Sequence, residues 1–392
     1  MAIENINGIA DAVAPELQAN LVSIPEEAMI EGITEMDDGS AIIGDMEMES
    51  ETPIAIPFDA NLADHIDEDV LSEISSELTG DIEDDINSRS DWEEQYKSGL
   101  ELLGMTYEDR SEPFEGASGI VHPLLAESVT QFQAQAYREM LPAGGPVKTA
   151  IMGAETPEVT AQAERVKNYM NYQITYEMEE YDPELDQMLF YLPIVGSAFK
   201  KVYFDPTMQR AVSKFVHSED LIVPYNATDL ATATRITHCI RMDKNEIRKL
   251  QLSGFYKDID LPESGSDSDT MNDVKDTINE IEGISSGSSQ NEEMMVYEVH
   301  TNLDIEGFED VGADGEPTGL KMPYIVTIME DSGDVLSIKR NFNEGDPLRR
   351  KVPYFVHYKF LPGLGFYGFG LTHTIGGLSR ASTSILRQLI DA

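Results

Sequence analysis

The chain has 392 residues, with 73 Asp and Glu against 27 Lys and Arg, a net charge of −46 and a single cysteine. That balance argues against a protein that coats nucleic acid or an anionic membrane, because phosphate binding rests on Lys and Arg. Cys239 alone excludes an intramolecular disulfide and a cysteine-based zinc site.

A hydrophobic fraction of 41% is enough for a sizeable core, and the length predicts about two or three domains. No stretch reaches the roughly 18 apolar residues of a membrane helix. The N-terminus lacks a basic region followed by an apolar run, so no secretory signal is read. The expectation is a soluble, acidic protein made in the cytoplasm.

The acid is unevenly spread. Residues 1–90 hold 24 acids and one base, Arg89, which is half of the net charge in less than a quarter of the chain. Self-repulsion and a scarcity of aromatic residues, Phe58 alone, predict a mostly disordered acidic arm over 1–85. Short apolar patches such as Ile42-Ile43 and Ile54-Ala55-Ile56 are its candidate partner contacts.

From residue 86 the pattern turns helical. Trp92, Tyr96, Leu100 and Leu103 recur at helical spacing, and Gly104 marks a stop. After a Gly- and Pro-rich loop, Pro123 opens a second helix with the stripe Leu125, Val129, Phe132, Ala136 and Met140. Further helices are predicted over 156–178 and 183–196. Strands are predicted over 198–204, 211–215 and 234–242, followed by a helix over 244–252.

Residues 262–292, rich in Ser, Gly, Asp and Glu, read as a linker with a short helix near 274–281. Strand-like runs follow at 294–301, 323–329, 335–341 and 353–360. A glycine cluster then leads into a helix over 371–391, whose Leu371, Ile375, Leu378, Ile385 and Leu389 share a face. The fold class is α+β. Its expected segments are the arm 1–85, a helix-rich region 86–261, the linker 262–292, a strand-rich region 293–370 and the terminal helix 371–392.

Signs of catalysis are sparse. Gly363-Leu364-Gly365-Phe366-Tyr367-Gly368 spells G-x-G-x-x-G between a strand and a helix. No second parallel strand can follow it, and its aromatic residues crowd the turn. The better reading is a hinge at Gly363, Gly365, Gly368 and Gly370. No P-loop, H-E-x-x-H or G-x-S-x-G occurs.

The other chemistry-bearing residues have ordinary readings. His122 reads as a cap or core residue, and a site shared by His217, His238 and Cys239 is a remote reading. Asp182 and Asp186 read as helix N-terminal charges. Asp267, Asp269 and Asp273 form only part of a calcium loop. No catalytic residue, cofactor or metal is expected. The bases Lys339, Arg340, Arg349, Arg350, Lys351 and Lys359 cluster in the strand-rich region, and Arg380 and Arg387 lie seven apart on the last helix. Ion pairing with the acid excess and phosphate contact are both open to them.

Many short stretches, in order, resemble the ordered part of tailed-phage portal proteins of the podovirus-like group. They are Ser88 to Tyr96, Leu102-Leu103-Gly104, Glu112-Pro113-Phe114-Glu115-Gly116-Ala117-Ser118 and His122-Pro123-Leu124-Leu125-Ala126-Glu127. Phe132-Gln133-Ala134, Glu139-Met140-Leu141-Pro142, Gly145-Pro146-Val147 and Val166 to Asn171 continue the series. It ends with Leu192-Pro193, Gly196 to Lys200, Glu219-Asp220-Leu221, and Tyr354 to Gly370 with the helix after it.

The resemblance implies a portal wing ending in a stem helix, and a closed, usually dodecameric ring at one capsid vertex. It implies passage of double-stranded DNA without chemistry. The implied partners are the terminase large subunit, major capsid and scaffolding proteins, and head-tail connector proteins. The implied location is the virion, with assembly in the host cytoplasm. Arg380 and Arg387 would then face the channel or a neighbouring subunit. Such portals continue beyond this helix, and the chain stops at Ala392 inside a helical pattern, so a truncated sequence is expected. The alternatives are another virion structural or scaffold-interacting protein, or a metal-dependent nuclease.

Overall fold

The computed structural model describes residues 56–105, 114–206, 208–262, 272–283, 293–312 and 316–392, together with two short strands, β1 (Ile33–Glu35) and β2 (Ala41–Ile43). The chain forms two units, 1–56 and 57–392. In the first, β1 and β2 pair antiparallel with Ile33 opposite Ile43. Every other element belongs to the second. The Ile54-Ala55 part of the apolar patch and the partial calcium loop at Asp267 and Asp269 lie outside the described residues.

The second unit begins well before residue 86, which corrects the expected extent of the acidic arm. Leu62 and Ala63 are fully buried, and α1 (Glu68–Ser88) buries Leu71, Ser75, Leu78, Ile82 and Ile86. These recur every three to four residues, so one stripe faces the core while most of the acids face water. Asn61 fixes the start of this segment: its amide donates to the Leu336 carbonyl (3.1 Å) and accepts from the Ile338 N–H (2.9 Å). Repulsion is relieved further where Arg235 pairs with Asp81 and Asp85.

After α1 come α2 (Ser90–Glu101), α3 (Leu124–Met140) and α4 (Pro157–Tyr172), with a π-type turn over Gln173–Glu177, and then α5 (Tyr181–Val195). Thr156 caps α4 by accepting the Val159 N–H, with Pro157 at the first helical position. Tyr96, Leu100 and Leu103 meet Leu125, Val129, Tyr191, Ile194 and Val195 in one apolar cluster.

The strands follow as expected from their alternation. They are β3 (Ser197–Asp205), β4 (Arg210–Val216), β5 (Leu221–Ile222) and β6 (Arg235–Asp243). Next come α6 (Lys244–Leu252), α7 (Asn272–Glu282), β7 (Glu293–Leu303), β8 (Met322–Met329), β9 (Val335–Arg340), β10 (Phe355–Lys359) and α8 (Leu371–Asp391). A five-stranded antiparallel sheet runs β5-β6-β7-β8-β9, and a three-stranded one runs β10-β3-β4. The architecture is α+β.

Two details protect the small sheet and join it to the large one. The outer edge of β4 is covered by carboxylates of the α5 start: Glu180 accepts the Ser213 N–H and Glu184 the Phe215 N–H. Such capping removes an edge that would otherwise pair with another chain. Lys201 on β3 reaches Glu298 on β7, linking the two sheets with an ion pair at 2.6 Å.

Candidate assembly surfaces

α8 carries both arginines singled out from the sequence. Its contact face is not the apolar stripe: the buried residues are Gly376, Ser379 and Thr383. Leu371 and Ile375 pack on the helical core, but Leu378, Ile385, Leu389 and Ile390 are between 55 and 74% exposed. The small residues let the helix approach α2 closely, since a methyl on Gly376 would meet Leu102 at 3.4 Å. The His122 N–H donates to Thr383 Oγ1 (3.0 Å), and the Ser118 N–H to Asp391 Oδ1 (2.8 Å). The stripe thus divides between core and surface.

Arg380 donates to Ser98 Oγ (2.8 Å), and Arg387 to the Ile120 carbonyl (2.7 Å). Together with Glu101, Val121 and Gln388 they line a groove of about 540 Å³ at the end of α8.

The glycine segment before α8 is tightly packed. A methyl on Gly368 would lie 2.4 Å from the Gly196 carbonyl oxygen, and one on Gly370 2.3 Å from that of Ile194. Gly363 is equally confined by the Tyr367 carbonyl, whereas Gly365 has open space around it. Phe366 is buried, and Tyr367 stacks on Trp92 with ring centres 4.4 Å apart. β10 pairs antiparallel with β3. The parallel neighbour that a dinucleotide-binding turn requires is therefore not its partner in this sheet.

A polar cluster that sequence reasoning did not single out joins α1, α2, α5 and the turn before β5. Buried Arg89 donates to the carbonyls of Ser218 (3.3 Å), Glu219 (2.6 Å) and Leu221 (3.1 Å), and pairs with Glu93 at 2.8 Å. Tyr191 donates to Glu219 (3.1 Å). Burial pushes the Glu219 carboxyl up, and burial plus the neighbouring Glu219 charge pushes Asp220 up to about 6. Arg89 is the only base in the first 90 residues, and that isolation was the available signal.

A second such cluster lies between the sheets. Lys201 Nζ is 2.6 and 2.7 Å from the two Glu298 oxygens, and His300 Nε2 is 2.8 Å from the same carboxylate. Burial works against the Glu298 charge, but the His300 hydrogen bond and Lys201 hold its carboxyl below the usual range. Burial lowers His238 to about 3, so its imidazole is neutral.

The basic cluster of the strand-rich region is used within the chain. Arg349 pairs with Asp310, and Arg350 with Asp346. Arg340 donates to the Phe58 carbonyl, Lys351 to that of Ala233 and Lys359 to that of Gly365. Lys339 lies 3.2 Å over the Phe255 ring, and burial lowers its amine to about 8. Asp182 lies in the first turn of α5, and Asp186 accepts from Gln133. Among the described residues no cluster of His, Cys, Asp and Glu has metal-holding geometry, and no helix is long and apolar enough to cross a membrane.

No curated protein matches the chain. Residues 205–392, just under half of it, match the family model described as phage SU10 portal protein. The matched span holds β4 to β10, the close-packed glycine segment and all of α8; most of the stretches that carry the sequence resemblance lie before it. The portal family is structural rather than enzymatic. Over residues 205–392, from β4 to the end of α8, the chain is similar to the phage portal proteins.

Proposed function

We propose that this chain is the subunit of a closed portal ring at one capsid vertex of a tailed phage. In this reading it passes double-stranded DNA during packaging and ejection. It also docks the terminase large subunit, capsid and scaffolding proteins, and the head-tail connector. The observation that carries the reading is the match over residues 205–392.

The surface chemistry supports it. A ring requires a heterologous interface, one face of a subunit meeting a different face of the next. The outward Leu378, Ile385 and Leu389 of α8 offer exposed apolar area for such an interface. A net charge of −46 repels DNA phosphate, which suits a conduit that must not hold its cargo. On this reading Arg380 and Arg387 face the channel or a neighbouring subunit. The segment from Gly363 to Gly370 is the hinge between the small sheet and α8, and its movement opens the contact with Gly196.

Electron microscopy of the purified protein tests the assembly. Closed rings with a central channel are expected at micromolar concentration. Only monomers across a range of concentration and salt would overturn the proposal.

A further inference from the structure

A groove of about 590 Å³ lies between the end of α3, the loop that follows it, and the π-type turn after α4. Its wall is built rather than incidental. Asn171 accepts the Val147 N–H (2.8 Å) and donates back to the Val147 carbonyl (3.2 Å), which ties the loop to α4. Gly145, at φ +87°, leaves room for this, since a Cβ there would collide with the Asn171 amide.

The π-type turn carries Tyr176 round to stack on Tyr172, with ring centres 5.6 Å apart. Tyr137 and Tyr181 complete the aromatic lining. No Lys or Arg lines the groove, and Asp182 is its one carboxylate. Tyr137 donates to Asp182 Oδ1 (2.6 Å). Tyr172 and Tyr176 are 51 and 73% exposed, so ring faces remain open.

The chain itself shows what these rings accept. Lys200 Nζ lies 4.2 Å over Tyr181, a cation held on an aromatic face. The open faces of Tyr172 and Tyr176, in a groove lined by a carboxylate and by no Lys or Arg, are complementary to an arginine or lysine side chain. We propose that this groove holds a basic side chain of an extended segment from a partner protein. The proposal is independent of ring formation.

The test is calorimetric binding of an end-capped heptapeptide, Gly-Ser-Arg-Pro-Arg-Ser-Gly, compared with the same peptide carrying citrulline for both arginines. The intact protein is expected to bind the arginine peptide about ten-fold more tightly. Tyr172→Leu with Tyr176→Leu leaves the net charge unchanged and should weaken that binding about five-fold, while the paired Phe variants bind as the parent does. Circular dichroism checks that the variants fold. If the leucine variant binds like the parent, the peptide is drawn only by the general acidity of the surface and the proposal fails. It fails equally if the parent binds both peptides alike or neither.

Discussion

Glu298→Gln is the most informative perturbation of the folded body, because it removes a charge without removing volume. The carboxylate lies at 2.6 and 2.7 Å from Lys201 Nζ and 2.8 Å from His300 Nε2. The Lys201 and Glu298 side chains are only 13 and 19% exposed. At an effective dielectric near 20, the gross attraction at this separation is about 6 kcal/mol. Desolvation offsets part of it. What the variant loses is the compensation of a lysine that stays in place, which costs about 3–5 kcal/mol.

Urea unfolding, followed by Trp92 fluorescence and far-UV circular dichroism together, should show that loss. Adding Lys201→Met should recover much of it, since an apolar pair of similar volume leaves no unpaired charge. The pH dependence has a definite sign. The folded-state pKa of Glu298 is depressed, so its contribution is present above the ordinary carboxylate range and is lost only as pH falls through the lower folded value. The gap between parent and variant should therefore be flat from about pH 5 to 8 and close in strong acid. A loss below about 1 kcal/mol would refute the assignment of the pair as the electrostatic tie between the sheets.

Three further outcomes follow from the same structure. Asp220 has its pKa raised to about 6 by burial and the Glu219 charge, so its ionisation opposes folding above that pH. Asp220→Asn should raise the melting temperature at pH 7.5 and change it little at pH 4; an equal effect at both would contradict the assignment. Gly370→Ala places a methyl 2.3 and 2.8 Å from the carbonyl oxygens of Ile194 and Pro193. It should cost about 1–3 kcal/mol in chemical denaturation. Gly365→Ala meets nothing within 4 Å and should be near neutral.

The strands and the later helices were legible because their periodicities are undiluted. β7 to β10 follow apolar runs broken by Gly and Asp, and α6 and α8 cover the ranges read from spacing. α1 was hidden by composition. Averaged over the first 90 residues the acid excess dominates, while Leu71, Leu78, Ile82 and Ile86 keep a helical stripe that only residue-by-residue reading reveals.

The arginines of α8 were recognisable as a pair seven residues apart. Their reach to Ser98 and the Ile120 carbonyl was not, because those atoms lie more than 260 residues away in sequence. Arg89 stood out as an isolated base, but the partners gathered around it and around Glu298 were not legible for the same reason: each cluster draws members from several elements.

The sequence by itself determined the α+β class, most element ranges and, through short ordered stretches, the resemblance to phage portals. Local periodicity and turn chemistry act over a few residues and need no partner. Only the tertiary structure decided where the acidic segment joins the fold and which face of α8 turns inward. On that helix Gly376, Ser379 and Thr383 allow closer approach than leucine would, so the small residues take the contact and much of the apolar stripe faces out. The net charge of −46 is thereby divided differently along the chain. Part of the acid of the first 90 residues lies on the outer face of a packed helix, where water screens it and Arg235 offsets some of it.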